Sequence, residues 1–478
     1  MDGMNLSPDA VAVIGFVALF TLMLLRVPVG MAMGLVGVVG YGYIAGSGPA
    51  LKLIGQTSMR TVTDYTFGVI PMFMLMGAFV SVSGVSRELF RAANAFIGHL
   101  RGGLGMATVI ACGGFAAICG SSVATAATFS SVAYPEMRRF GYPQSFSTGV
   151  IAAGGTLGAM LPPSTVLAVY AILTQQDIGK LFMAGIIPGL LAMAMYVLTI
   201  SVIVRVKPDW LPRGAATSWR QRFEGLKDVW APLLLFVFVI GGLYGGFFTP
   251  TEAGGVGATG AFLLGVLRGK LDRAGILEAL LSATRTAAAV FTVLIGALIF
   301  GYFLTMTQTP QKLTGFLTEL GLGPYGVLAL IMLMYLVLGC LMDAMAMIIL
   351  TVPIIFPVIV QLGFDPIWFG IIIVMTVELG LIHPPVGMNV FVIKSVVHDV
   401  SFTTIFKGVI PFVVTDLLRL LILIAFPMIA LWLPGRMAWR SILLLKARFD
   451  DDPSGVLFFC AFAGKKHPLR AVLRKTGN

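Results

Sequence analysis

Apolar stretches of roughly 15 to 25 residues recur from Val11 to Leu433, each near the about 20 residues that carry a helix across about 30 Å of hydrocarbon. Backbone polar groups in lipid must be satisfied within their own segment, so this pattern predicts an all-α polytopic membrane protein. The alternation expected of a transmembrane barrel is absent. With 58% of residues hydrophobic and 11% charged, a water-soluble enzyme is excluded. The 57 glycines and 25 prolines are scattered through the apolar stretches, which predicts closely packed helices, several of them broken.

The formal charge of +11 resides in short basic clusters between apolar stretches, so it reports orientation and not a nucleic-acid partner. The run from Arg205 to Lys227 is the strongest and marks the cytoplasmic side. Two spans, 232–247 and 254–266, return the chain to a second basic loop with Arg268, Lys270, Arg273 and Arg285. The span 286–306 then leads to a sparse external loop holding Lys312 and Glu319, and counting backwards places the N-terminus outside. No cleavable signal is evident, because Met1 to Asp9 carries two aspartates and no basic region; the first helix directs insertion. Residues 46–67 read as an external interfacial segment. Cys112, Cys119, Cys340 and Cys460 are too few and too apolar in context for a disulfide framework or metal site.

The two halves repeat. A shift of 222 positions aligns Pro135 with Pro357, Gly141 with Gly363, Leu157-Gly158 with Leu379-Gly380, and Pro162-Pro163 with Pro384-Pro385. A shift of 223 extends this to Gly185 with Gly408 and Ile187-Pro188 with Ile410-Pro411. Equivalent loops differ in charge: Arg87, Arg91 and Arg101 in one unit correspond to the Lys312 loop in the other. The repeats are therefore inverted, the arrangement used for alternating access.

Between the basic residues Arg101 and Arg138, two arms too short to span flank Gly120-Ser121-Ser122. Both ends lie on the cytoplasmic side, so this segment is a re-entrant hairpin whose tip reaches mid-membrane. Its partner runs from Tyr325 to Phe356, with the tip Gly339 to Asp343 approaching from outside. Each hairpin is followed by an apolar run broken at Pro-Pro. A proline supplies no amide and excludes the carbonyl four residues earlier, so carbonyl oxygens are released, and a cation is a suitable partner for them. Gly158 and Gly380 permit close approach at the breaks. Ser121, Ser122 and Thr156 read either as hydroxyl ligands or as small polar helix glue. Asp343, a carboxylate deep in apolar sequence, calls for a cation or a donor. Glu378 and His383 read as a proton relay or as a static hydrogen-bonded brace. Thr249-Pro250-Thr251-Glu252 has the form of a capping box that starts a helix.

These motifs, Gly120-Ser121-Ser122-Val123-Ala124, Gly158 to Ser164, Ala184-Gly185-Ile186-Ile187-Pro188-Gly189, Phe248 to Ala253 and Gly380 to Gly387, resemble the large permease subunit of tripartite ATP-independent periplasmic (TRAP) transporters, the DctM family. The resemblance covers about Pro8 to Pro434. It implies an elevator-type transporter of the ion transporter superfamily in the bacterial inner membrane, coupled to sodium and not an enzyme. It also implies a separate small four-helix membrane subunit and a periplasmic binding protein that delivers an organic acid, such as a C4-dicarboxylate. Carried over by position, one sodium site takes Gly120, Ser121, Ser122, Thr156, Gly158 and Pro162, and the second takes Gly339, Asp343, Gly380 and Pro384. The organisation expected is N-terminal scaffold helices over 1–67 and a first repeat over 68–206 with its hairpin at 104–135. A cytoplasmic loop and connecting helices follow over 207–285, then a second repeat over 286–433 with its hairpin at 325–357, and an atypical basic tail over 434–478. A stand-alone carboxylate symporter and a non-transporting membrane scaffold are the alternatives. An ATP-driven pump is disfavoured, because no Gly-x-x-x-x-Gly-Lys-Ser/Thr loop occurs.

Overall fold

A computed structural model describes residues 6–214, 217–319, 321–340, 342–385 and 387–437. Leu341 at the second tip, Val386 at the second break, and the tail from 438 onward lie outside the described residues. The described residues form helices and no named strand.

The chain opens with α1 (Pro8–Leu24), α2 (Val29–Ala45) and α3 (Ser47–Thr63), followed by a 3-10 turn at Tyr65–Gly68. Next come α4 (Val69–Val82), α5 (Val85–Ile97), α6 (Gly103–Cys119), α7 (Ser122–Arg139), α8 (Gln144–Met160), α9 (Thr165–Thr174) and α10 (Ile178–Val206). Two connecting helices follow, α11 (Trp219–Tyr244) and α12 (Pro250–Leu267). The second half is α13 (Arg273–Met306), α14 (Thr309–Glu319), α15 (Gly323–Gly339), α16 (Ala344–Gln361), α17 (Pro366–Gly380), α18 (Met388–Val396) and α19 (Phe402–Ala425). The series from α4 to α10 thus recurs from α13 to α19: apolar helix, amphipathic helix, hairpin, broken helix, long helix.

The broken helices run in opposite directions. Gln144, at the start of α8, donates to Asp399 beyond the end of α18 (3.2 Å), and Tyr134 donates to the same carboxylate (3.0 Å). At the other end, the Tyr170 hydroxyl on α9 donates to the Pro366 carbonyl that starts α17 (2.7 Å). The start of each broken helix therefore meets the far end of the other, as two oppositely oriented copies require.

Two assemblies result. Helices α1 to α4 and α11 to α13 pack together, while α6 to α10 and α15 to α19 form the other body around α8 and α17. Of the stretch Gln144–Thr174, 89% of its most apolar window is buried, against 28% for Ile178–Val206, so the first broken helix sits inside protein and α10 faces outward. The amphipathic α5 is anchored by Glu88, which accepts two hydrogen bonds from Arg268 (2.9 and 3.0 Å); Arg268 also donates to the Asp228 carbonyl (2.9 Å). On α14, Lys312 pairs with Asp9 in the first turn of α1. Contacts thus join residues that the charge pattern assigns to one side of the membrane.

Helix ends differ from the hydropathy boundaries. Helix α11 begins at Trp219 and α13 at Arg273, so Arg220, Arg222, Lys227 and Arg285 are helical and not loop residues. At about 1.5 Å per residue the 34 residues of α13 extend roughly 50 Å, well beyond the hydrocarbon. Hydropathy marks the lipid edge, whereas backbone bonding continues past it. The Thr249 capping box closes as its sequence predicts: the Thr249 amide donates to Glu252 (2.8 Å) and the Glu252 amide to Thr249 Oγ1 (3.3 Å).

Candidate functional site at the hairpin tips and broken helices

At the first tip the chain reverses through Gly120, whose φ of +63° is left-handed and suits a residue without a Cβ. Ser121 then caps α7, accepting from the Ala124 amide (3.3 Å). The tip lies directly on the break after α8. A Cβ at Gly158 would stand 2.5 Å from the Ser121 carbonyl carbon and 2.7 Å from the Ser122 nitrogen, and one at Gly120 would strike the Pro163 carbonyl oxygen. Thr165, opening α9, donates to the Gly120 carbonyl (3.2 Å). Glycines at 120 and 158 are what let three backbone segments converge.

The second tip repeats the contact. A Cβ at Gly380 would lie 2.7 Å from the Gly339 Cα, and one at Gly339 would lie 2.9 Å from the Gly380 Cα. Asp343, which the 222-residue shift aligns with Ser121, likewise caps its helix, accepting from the amides of Met345 (3.0 Å) and Ala346 (3.1 Å). The donor that its position calls for is therefore the N-terminus of α16. Cys340 Sγ donates to the Pro384 carbonyl (3.2 Å), which His383 Nδ1 also meets at 2.6 Å.

Part of the carbonyl release at the prolines is met internally. The Ala159 oxygen, four residues before Pro163, takes the Ser164 hydroxyl (2.6 Å). The Gly380 oxygen takes the His383 amide (3.3 Å), and the Leu381 oxygen takes the Asn389 amide (3.1 Å). Both Pro-Pro bonds, 162–163 and 384–385, are cis. The two sites differ in exposure: Pro162, Pro163 and Ser164 are buried, whereas Asp343, Pro384 and Pro385 are exposed.

The structure thus gathers Gly120, Ser121, Ser122, Gly158 and Pro162 at one crossing, and Gly339, Asp343, Gly380 and Pro384 at the other. Thr156 turns its hydroxyl away from the tip, donating to the Ala153 carbonyl (2.7 Å) and meeting the Tyr196 hydroxyl (3.0 Å). Glu378 and His383 do not form a hydrogen-bonded pair. Glu378 is buried with no hydrogen-bond partner among the described residues, while His383 is engaged at Pro384.

One network escapes the sequence reading. The Tyr196 hydroxyl on α10 donates to Asp416 Oδ2 on α19 (2.6 Å), and Asp416 Oδ1 lies 2.9 Å from Arg419 Nη2. Beside it, the Thr199 and Thr415 hydroxyls meet at 2.6 Å. Asp416 and Arg419 are almost fully buried, at 1% and 3% exposure, so each charge depends on the other. Their signal was available: two opposite charges three residues apart inside an apolar span, with Arg419 aligned to Tyr196 at the shift of 223.

Comparison with known proteins agrees with this architecture. The family model described as "Tripartite ATP-independent periplasmic transporter, DctM component" matches residues 16–429. A C4-dicarboxylate TRAP transporter large permease protein of Pseudomonas aeruginosa is 40% identical over 79% of this chain and 88% of its own length. Its Vibrio cholerae counterpart is 34% identical over 88% and 96%, respectively. A sialic acid TRAP transporter large permease of Vibrio cholerae is 32% identical over 80% and 90%. Among solved structures, the YdaH transporter of Alcanivorax borkumensis, described as having an unusual topology, superposes with a TM-score of 0.52 at 15% identity. The match covers 78% of this chain and 89% of that one, a likeness of fold alone. By the family match and these relatives, the chain belongs to the DctM family, the large permease component of tripartite ATP-independent periplasmic transporters.

Proposed function

We propose that this permease moves an organic acid across the bacterial inner membrane by an elevator motion coupled to sodium. The observation that carries the proposal is the close approach of each hairpin tip to a broken helix, Gly120 and Ser121 against Gly158 and Pro163, and Gly339 against Gly380. Backbone oxygen, hydroxyl and carboxylate groups are hard donors suited to a small cation, and glycines admit the ion near the main chain. The two bodies supply a scaffold and a carrier, with α5 and α14 connecting them. In this reading a small four-helix subunit completes the scaffold, and a periplasmic binding protein presents the substrate outside.

A C4-dicarboxylate is favoured because two relatives at 34% and 40% identity are C4-dicarboxylate permeases. A sialic acid permease at 32% and an isethionate permease at 33% keep the class at organic acids more broadly. The test is reconstitution with the small subunit and binding protein, followed by uptake under an imposed sodium gradient. Uptake that needs the gradient and all three proteins is the expected result. Uptake by this chain alone would favour a stand-alone symporter, and uptake driven by protons without sodium would refute the coupling.

A further inference from the structure

Three arginines and a histidine surround one cavity, on the side that the charge pattern assigns to the cytoplasm, and no acid answers them. His99, Arg101, Arg205 and Arg213 line a space of about 480 Å³, with Leu100 and Val204 among the apolar residues of its wall. Among the described residues the lining holds no acidic side chain, and none of the three guanidiniums has an ion pair. Asp209, between Arg205 and Arg213 in sequence, lies outside the lining. His99 Nδ1 is buried and lacks a hydrogen-bond partner among the described residues.

The backbone imposes this crowding. Arg101 and Arg213 face one another across a single antiparallel bridge. The Gly214 amide donates to the Gly98 carbonyl (3.1 Å), and the Tyr142 hydroxyl donates to the Pro212 carbonyl (3.0 Å), which holds the bridge in place. Like charges set opposite one another are destabilising, so an anion between them is stabilised by both. Guanidinium forks match phosphate oxygens in particular. One wall points to what carries the phosphate. Leu198, Val202 and Arg205 follow at helical spacing on α10, the helix that faces outward, and Leu198 and Val202 are 61% and 49% exposed. This apolar strip leads from the cavity towards the hydrocarbon, where it suits an acyl chain and offers a free phosphate nothing.

We infer that this cavity binds the phosphate of an anionic phospholipid of the cytoplasmic leaflet, with Arg101, Arg205 and Arg213 supplying the charge and the Leu198–Val202 strip receiving an acyl chain. Arg101 lies where the connecting helix α5 passes into α6, and Arg213 lies in the connection from α10 to α11. The lipid therefore fastens two links between the scaffold and carrier bodies on the cytoplasmic side. The inference uses the orientation of the chain in the membrane and is independent of sodium coupling.

The test uses the full chain with its small subunit in detergent, with lipid binding followed by native mass spectrometry and by thermal unfolding. Phosphatidylglycerol should bind the wild type and raise its melting temperature, and phosphatidylcholine should do neither. R101Q and R213Q should each weaken phosphatidylglycerol binding about fivefold, and the double variant about 25-fold. Both should melt no lower than wild type in phosphatidylcholine, because repulsion has been relieved. R220Q removes an exposed arginine that is outside the cavity and paired with Glu224, and should change binding less than about twofold. Equal binding of the two lipids to the wild type would overturn the inference before any variant is made. An equal loss in R220Q would reduce the cavity to diffuse surface attraction, and a lower melting temperature of the double variant in phosphatidylcholine would make the arginines structural; either result would overturn it. Stabilisation by millimolar inorganic phosphate or glycerol phosphate to the same extent as by phosphatidylglycerol would assign the site to a free anion and refute the lipid.

Discussion

Replacing Tyr196 by phenylalanine removes one hydroxyl and no ring contact. That hydroxyl joins α10 to α19 through Asp416 Oδ2 at 2.6 Å and meets Thr156 at 3.0 Å. Hydrogen bonds between membrane helices average about 0.6 kcal/mol and reach about 1.7. The bond to a carboxylate belongs at the upper end and the bond to threonine near the mean, so Y196F should cost about 2 kcal/mol. Thr199 and Thr415 provide an internal standard, because their neutral pair joins the same helices at 2.6 Å. T199V should therefore cost only about 0.6 kcal/mol. Equilibrium unfolding in mixed micelles measures both, and a Y196F/D416N double-mutant cycle isolates the pair, with an expected coupling of about 1 kcal/mol. If Y196F costs no more than T199V, or the cycle shows no coupling, the charge-assisted role assigned to Tyr196 is wrong.

G158A would drive a methyl into the Ser121 main chain at 2.5 Å, and neither backbone can yield cheaply. It should lose about 1 to 3 kcal/mol by thermal unfolding, and sodium-driven uptake should fall with it; unaltered uptake would contradict the tip-to-break contact. D343A removes a helix cap and should cost about 1 kcal/mol, whereas D343N retains a capping side chain. Uptake lost in D343N at near-normal stability would separate the carboxylate's charge from its capping role. E88A strips Arg268 of two hydrogen bonds and should cost about 2 kcal/mol, below the usual range for a buried pair because Arg268 keeps a quarter of its exposure. Faster amide exchange confined to α5 and its contacts with α11 is the accompanying signature.

The hairpins and breaks are legible in the sequence because their causes are local: paired prolines end helices wherever they fall, and short arms between like-sided charges cannot cross. Ser121 and Asp343 illustrate the limit. Their place at the tips is readable, but their use as helix caps depends on where α7 and α16 begin, within a residue. The Asp416 network was not legible, since it requires α10 and α19, more than 200 residues apart in sequence, to touch at Tyr196. The ends of the long α11 and α13 lie beyond the charge-marked boundaries because charge reports the lipid edge and says little about helix continuation. Glu378 is visible as an intramembrane acid, yet its neighbour Ser122 comes from the other repeat, which only the packing of the two copies brings to it.

Two oppositely oriented re-entrant hairpins are the feature on which transport in this account depends. Single cysteines at the outer ends of their arms, positions 103 and 139 for the first and 323 and 361 for the second, can be labelled in intact cells and in inverted vesicles with a membrane-impermeant thiol reagent. Labelling of 103 and 139 only from the cytoplasmic face, and of 323 and 361 only from the periplasmic face, is predicted. Either pair labelling from opposite faces would mean that the arms cross completely and would contradict the inverted arrangement.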